Sequence, residues 1–527
     1  MKKTNRTFKR FAAITSASLL AACAVAPLAT GITSSAVEKG KVTLTYTNGD
    51  TTGHTYNAYK IFSGTVAADG VTLEGIDWAS ETGSTFLTNL KLSEIEYEED
   101  KTLGSLFTGC KNPVEVAAVL KNFGTKSAEA KAFAEFAASQ KENLVEIEGS
   151  EDGSITIGSD GYYLIVENPL ETNLENKTMT AYLLGVYDAE TGADIEVKKD
   201  LPVFKKEIQD INDSKTDDPV WGTDADHDIG DKVSFRLTAT LPSDYDTYKE
   251  YKLVFHDALQ DAAFKYVDDS AKISVDGGEA TSIAPSTSGL CSVNSSKGDD
   301  CDFEYVIDDV KTAYPNAKAG DEIVIEYKAE LLPTANIGEA GNWNSAYLEY
   351  SNNPYYTGTG DTLSKTPEQT VVAFTYQVNI NKIDGANNKP LEGAGFTLYK
   401  KNAAGEYVQV GEEITGKTTF EFKGLDDGDY KISETTIPKD YNGAEDLEFT
   451  ITAGHANKTL GDVAGTNLEV TEENRAIFET DIINNSGTTL PGTGGIGTTI
   501  FYLGGGAMAA IGGVYLISKR RMKKSEE

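Results

Sequence analysis

The chain has 527 residues, with 82 Asp+Glu against 47 Lys+Arg and a formal net charge of −35. Such a surface repels nucleic acid and anionic lipid, which sets nucleic-acid binding aside. The length suits three or four domains of ordinary size, and 50 Gly, 26 Tyr and repeated apolar alternation favour β-rich domains joined by turns.

The N-terminus, MKKTNRTFKRFAAITSASLLAACAVAPLATG, runs from a basic stretch through an apolar run to small residues, the pattern of a secretory signal peptide. Residues 1–36 are assigned to it, with cleavage after Ala29 or Ala36, so the mature chain is extracytoplasmic. The LAAC segment ending at Cys23 also fits a lipoprotein signal, a reading disfavoured by the separate anchoring signal at the other end of the chain.

Residues 37–198 open with KVTLTYTNGDTTGHTYNAYKIFSG, an alternating strand pattern. The Ala/Leu/Phe-rich stretch after Asn112-Pro113 predicts one or two short amphipathic helices, because Pro is preorganised for the first helical position. Strands resume at SITIGSDGYYLIVE and MTAYLLGVYD. The second region, 199–370, begins near KDLPVFKKEI, and the third, 371–486, near TYQVNINKIDGANNKPLEGAGFTLYK.

A strand points alternate side chains to one face. In PVFKKEI, Lys206 shares a face with Phe204 and Ile208; in YKLVFHDAL, Asp257 shares one with Leu253, Phe255 and Leu259; in NWNSAYLEY, Asn344 shares one with Ala346, Leu348 and Tyr350. The third region repeats the order: Lys382 with Val378 and Ile380, Glu434 with Tyr430 and Ile432, Asn484 with Phe478 and Ile482. Buried Lys–acid salt bridges would account for the lysines and acids. The alternative is an autocatalytic isopeptide bond. Desolvation lowers the Lys pKa and raises that of the acid, leaving a neutral amine to attack the Asn carbonyl while the protonated acid (Asp257 or Glu434) polarises it. On that second reading the bonds would join Lys206 to Asn344 and Lys382 to Asn484; the residues alone leave both readings open. In the first region Lys60 is either a crosslink member or an ordinary strand lysine, and no third bond is claimed there.

Without Cys23, the cysteines are Cys110, Cys291 and Cys301. Cys291 and Cys301 flank a turn-like segment, which suits either a local disulfide in an oxidising compartment or two unpaired thiols on neighbouring strands. No CxxC or His/Cys metal pattern occurs, and neither metal nor cofactor is expected.

The tail carries Leu490-Pro491-Gly492-Thr493-Gly494, then a mostly apolar stretch from Thr499 to Ser518, then KRRMKK. The stretch is about 20 residues, long enough for one transmembrane helix, and the basic end belongs on the cytoplasmic side. Motif, span and basic end in this order match the LPXTG sorting signal of Gram-positive cell-wall proteins, assigned here to 487–527. In proteins this resembles, a sortase cysteine attacks the Thr493 carbonyl, expels Gly494 onward and passes the acyl group to an amine of peptidoglycan or of the next subunit.

The third region resembles the collagen-adhesin B-type, or prealbumin-like, domain through NKIDGANNKPLEGAGFTLYK, YKISETTIPKDY and DIINNSG. The second resembles the isopeptide-forming domain of fimbrial subunits through PVFKKEI, YKLVFHDAL and NWNSAYLEYSNNPYY. Together with the tail, the domain order looks like a sortase-assembled major pilin of Gram-positive bacteria. This implies a mainly β fold of tandem Ig-like and prealbumin-like β-sandwiches, with short helical insertions in the N-terminal domain. It also implies a non-enzymatic subunit whose partners are other copies of itself through a Thr493–Lys linkage, sortase, peptidoglycan, minor pilins and a host or carbohydrate ligand. The polymerisation lysine of such pilins sits in a VYPK-like motif. Here the place reads ADIEVKKDLPVF, without the Tyr and Pro; Lys199 aligns best, with Lys198 close behind, and two solvated linker lysines are the bland reading. A monomeric wall-anchored adhesin using the same domains as a stalk is the alternative. No GxSxG, HExxH or Cys/His pair supports a secreted hydrolase, although paired carboxylates are available in so acidic a chain.

Overall fold

The computed structural model describes residues 40–46, 54–125, 127–150, 152–170, 175–197, 200–286, 301–355 and 363–487. The signal region, Lys198, Lys199, Cys291 and the tail from Leu490 onward lie outside them. The architecture is mainly β, in successive layered units, each organised around its own apolar core.

In the first unit the opening alternation yields two strands, Lys41–Tyr46 and Tyr56–Val66. The second is central in a sheet with Leu73–Trp78, Gly161–Glu167 and Leu183–Tyr187. Both faces of Gly161–Glu167 are buried, so its alternate residues feed two cores. Tyr163 and Ile165 pack towards Val42 and Ile155, while Tyr162, Leu164 and Val166 pack towards the helices. The helical stretch after Asn112 forms Pro113–Leu120 and Ala128–Ser139. Asn112 caps the first by accepting from the Glu115 amide, and Ser127 caps the second by accepting from the Ala130 amide. Two further helices, Gly83–Lys91 and Leu103–Phe107, bring Phe86 and Phe107 against Phe133 and Phe136.

The second unit is a sandwich. One sheet runs in the order Val220–Gly222, Val203–Asp210, Lys232–Thr240, Glu322–Leu331, Lys272–Val275 and Thr281–Ser282. The other runs Asp224–Asp226, Gln369–Phe374, Asn342–Ser351, Leu253–Leu259, Phe303–Ile307. Inward residues of both, among them Phe235, Leu237, Phe255, Ile325 and Leu348, are fully buried between them.

Gln369–Phe374 serves two cores: Val371 and Ala373 belong to this sandwich, Val372 and Phe374 to the next. The third unit then begins with Tyr376–Asp384, the neighbour of Thr419–Leu425 and, in parallel, of Ile477–Asn484. Facing it is the sheet Tyr407–Thr415, Gly395–Lys401, Gly428–Thr436, Leu447–Ala456, Thr459–Gly465. First and last strands of this unit thus lie side by side, with Lys382 opposite Ile482 and Asp384 opposite Asn484.

Polar contacts join the units. Between the first and second, Thr178 Oγ1 and Tyr248 OH are 2.5 Å apart, Tyr350 OH donates to the Lys177 carbonyl, and the rings of Tyr182 and Tyr355 stack at 3.6 Å. Between the second and third, Lys400 and His455 enter a group of aspartates described below.

Candidate crosslinking sites

Lys206, Asp257 and Asn344 come from three strands and two facing sheets into one closed pocket, with relative exposures of 2%, 0% and 0%. Lys206 Nζ donates to Asp257 Oδ2 at 2.6 Å. Asp257 pairs with Ala346 and Leu259 with Asn344, so the acid and the amide are diagonal neighbours on one face. Lys206 reaches them from the opposite sheet. Burial holds its ammonium pKa below the usual lysine range against the pull of Asp257. Burial likewise raises the Asp257 carboxyl, although Lys206 and Tyr327 oppose it. Both directions favour amine plus carboxylic acid over an ion pair.

The unmet hydrogen bonds point the same way. Asp257 Oδ1 and Asn344 Oδ1 are buried and find no partner. Two ionised or carbonyl acceptors cannot satisfy each other, but a proton on the Asp257 carboxyl turns one of them into a donor.

Tyr327, which the sequence reading did not single out, sits at the centre of this group. Its hydroxyl donates to Asp257 Oδ2 at 2.7 Å and accepts from Lys206 Nζ at 3.1 Å and Asn344 Nδ2 at 2.7 Å. Leu237 is paired with both Lys206 and Ile325, so Tyr327 lies one side-chain period along on the same inward face. A signal existed in EIVIEYKAEL: Tyr327 falls in phase with Ile323, Ile325 and Leu331, and a phenol on a buried face needs a partner.

In the third unit Lys382 is 0% and Asn484 1% exposed, and the Glu434 side chain is equally closed off. Parallel pairing of the first and last strands puts Lys382 and Asn484 on one face, two residues apart in register, and Glu434 comes from the facing sheet. Asn484 Nδ2 donates to Glu434 Oε1 at 2.7 Å and Oε2 at 3.0 Å, and the Ala444 amide holds Oε2 at 2.7 Å. Lys382 Nζ donates to the Ile482 carbonyl at 3.0 Å and stands 3.9 Å from Glu434 Oε1. Burial lowers its pKa, while Glu434 and Asp384 pull it back up. Asn484 Oδ1 is another buried acceptor without a partner.

Lys60 donates to Ser159 Oγ at 2.7 Å and its stem crosses Gly161, where an added Cβ would collide with Lys60 Cε. The sorting motif Leu490–Gly494 and Lys198 and Lys199 lie outside the described residues. Cys301 is disulfide-bonded, Cys291 lies outside the described residues, and Cys110 is a buried free thiol.

Carboxylates also gather at the junction of the second and third units. Lys400 Nζ meets Asp213 at 3.2 Å, Asp426 at 3.3 Å, and Asp228. His455 Nδ1 is 2.7 Å from Asp224 Oδ1, with Nε2 3.6 Å from Asp226 and 3.7 Å from Asp210. Some of these groups have the spacing of a cation site, and the two side chains already supply the positive charge. Burial works against a protonated His455, but the hydrogen bonds to Asp226 and Asp224 prevail and raise its pKa to about 9.

Residues 376–464 match the prealbumin-like fold domain and residues 482–526 the LPXTG cell wall anchor motif, which make this a cell-wall-anchored surface protein of the Gram-positive type. The proteins it is similar to include backbone and major pilins. The trypsin-resistant surface T6 protein of Streptococcus pyogenes serotype M6 is 26% identical over 285 residues, covering 42% of this chain. The chain spans about half, 51%, of that relative's length. The solved T6 backbone pilin of serotype M6 Streptococcus pyogenes, described as a modular three-domain structure, aligns over 86% of this chain and all of its own, at 17% identity and a TM-score of 0.49. The major pilin SpaA of Corynebacterium diphtheriae aligns over 85% of this chain and all of its own, at 12% identity and a TM-score of 0.42.

Proposed function

We propose that the protein is the backbone subunit of a covalent, sortase-polymerised pilus, stiffened by isopeptide bonds from Lys206 to Asn344 and from Lys382 to Asn484. The observation that carries this reading is the pair of buried lysine–acid–asparagine groups, each with a desolvated lysine and an asparagine carbonyl left without a donor. In a salt bridge that carbonyl has no role. In the crosslinking reaction it is the electrophile, and the acid serves as general acid and base while ammonia leaves.

The strand order gives the bonds a mechanical use. Force entering the third unit at Tyr376 runs up its first strand, crosses at Lys382 to Asn484 on the adjacent last strand, and leaves towards Thr493. Residues between the two attachment points are relieved of tension. A bond from Lys206 to Asn344 likewise shields most of the second sandwich. The carbonyl of Thr493 would be transferred by sortase to Lys199 or Lys198 of another copy, in the connection between the first two units, or finally to peptidoglycan.

Wall extracts test the assembly. A sortase-dependent ladder of very large species is expected, with tryptic peptides in which Thr493 is joined to Lys198 or Lys199. A single band of subunit size would instead identify a monomeric adhesin and end the pilin reading.

A further inference from the structure

We propose that Tyr327 is a catalytic proton relay for the Lys206–Asn344 bond, delivering to the departing nitrogen the proton that the lysine gives up. This rests on the crosslinking reading above. In the third unit the nitrogen that must leave, Asn484 Nδ2, already touches its acid at 2.7 and 3.0 Å. In the second unit the corresponding Asn344 Nδ2 has the Tyr327 hydroxyl at 2.7 Å, and that hydroxyl in turn contacts Asp257 Oδ2 at 2.7 Å. The phenol is therefore interposed between acid and leaving group at the second site, and no such group stands between them at the third.

The leaving nitrogen needs a proton, since expelling an amide anion from a tetrahedral intermediate is prohibitive whereas expelling ammonia is not. The neutral Lys206 amine attacks Asn344 Cγ; the carbonyl electron pair moves to Oδ1, which takes the proton of the Asp257 acid. The lysine nitrogen, now bonded to Cγ, yields one proton to Asp257 Oδ2, its neighbour at 2.6 Å. On collapse the Cγ–Nδ2 bond breaks with its electrons on nitrogen. Tyr327 hands its phenolic proton to Nδ2 while taking the proton from Asp257 Oδ2, and the Asn344 oxygen returns the borrowed proton to the acid. Lysine has lost one proton, ammonia has gained one, and the acid and phenol are restored.

The surroundings suit a relay rather than a phenolate. Burial keeps the Tyr327 hydroxyl protonated far above its usual range. A hydroxyl that rotates about one bond can exchange Asp257 for Nδ2 as its acceptor without moving its ring. That ring is fixed by stacking on Phe235 at 5.4 Å and by an edge contact with Phe303 at 5.3 Å.

The test uses the full chain, pulse-labelled and chased, with both linked peptides quantified by mass spectrometry in the same molecules. Tyr327→Phe is expected to slow the 206–344 bond ~10-fold or more, general-acid assistance commonly supplying more than this. The 382–484 bond should form at its normal rate and report that the chain has folded. Site-specific 3,5-difluorotyrosine at 327, which keeps the ring in place but acidifies the phenol, should shift the pH dependence of the 206–344 rate alone. Should Tyr327→Phe not fold, the fluorinated side chain decides. A 206–344 rate and pH profile unchanged by either replacement overturns the relay. If the wild-type chain itself lacks the 206–344 peptide, the crosslinking reading fails rather than this one.

Discussion

Asn344→Ala and Asp257→Ala separate the covalent contribution of the proposed second-unit crosslink from the electrostatics of its pocket. Asn344→Ala removes the electrophile yet leaves Lys206 bonded to Asp257 at 2.6 Å and to Tyr327 at 3.1 Å. By analogy with a disulfide, releasing a loop of ~100 residues or more returns unfolded-chain entropy worth about 4.7 kcal/mol. The lost hydrogen bond to Tyr327 adds about 1 kcal/mol. At about 2–4 °C per kcal/mol for a domain of this class, the second-unit transition should fall by roughly 10–20 °C. Asp257→Ala forbids the bond as well and leaves a fully buried lysine facing one phenol. Breaking a buried pair costs about 3–5 kcal/mol while the survivor stays charged; Lys206 can shed its proton, so the additional loss should lie below that range. The assay is intact mass and calorimetry on residues 37–487: the wild type should be lighter than its sequence by about 17 Da per bond, one ammonia each. Unfolding of Asn344→Ala at the wild-type temperature, or a wild-type mass with no deficit, would refute the reasoning.

Three further outcomes are expected. Glu434→Ala should restore about 17 Da, the ammonia of one bond, and the linked 382–484 peptide should vanish while 206–344 persists; retention of both linked peptides would remove Glu434 from its role. The junction of the second and third units should weaken as pH rises through about 9, because His455 has a raised pKa in the folded chain. Its contribution is full below the unfolded value near 6.5, fades as the proton is lost, and amounts to about 1–2 kcal/mol after allowance for solvent screening. His455→Gln should abolish that dependence in hydrogen-exchange measurements at Asp224–Asp226 and Leu447–Ala456. Lys400→Met should loosen the same junction by about 3–5 kcal/mol at neutral pH by stranding buried aspartates, read as earlier protease cleavage between the units; unchanged cleavage would show that the cluster does not hold them together.

Much of the second and third units could be read from residue alternation alone. A strand's period of two fixes which side chains share a face, and that sufficed to place Lys206, Asp257, Asn344, Lys382, Glu434 and Asn484 among apolar neighbours. The helices after Asn112 carried a cap and a proline. Gly83–Lys91 has no side-chain cap and Leu103–Phe107 is a single turn held by burial of Leu103 and Phe107, so neither had a local signature to read.

Which residues face inward, and what anchors the chain, can be read along the chain, because periodicity and the sorting signal are local properties. Which inward residues meet was decided by tertiary structure, since contact across a sandwich depends on strand order and the facing of two sheets. The parallel pairing of Tyr376–Asp384 with Ile477–Asn484 brings together residues about a hundred positions apart. Tyr327 joins the second-unit pocket through pairings with two intermediate strands. Lys400 and His455 meet Asp228 and Asp224 only across the junction of the second and third units.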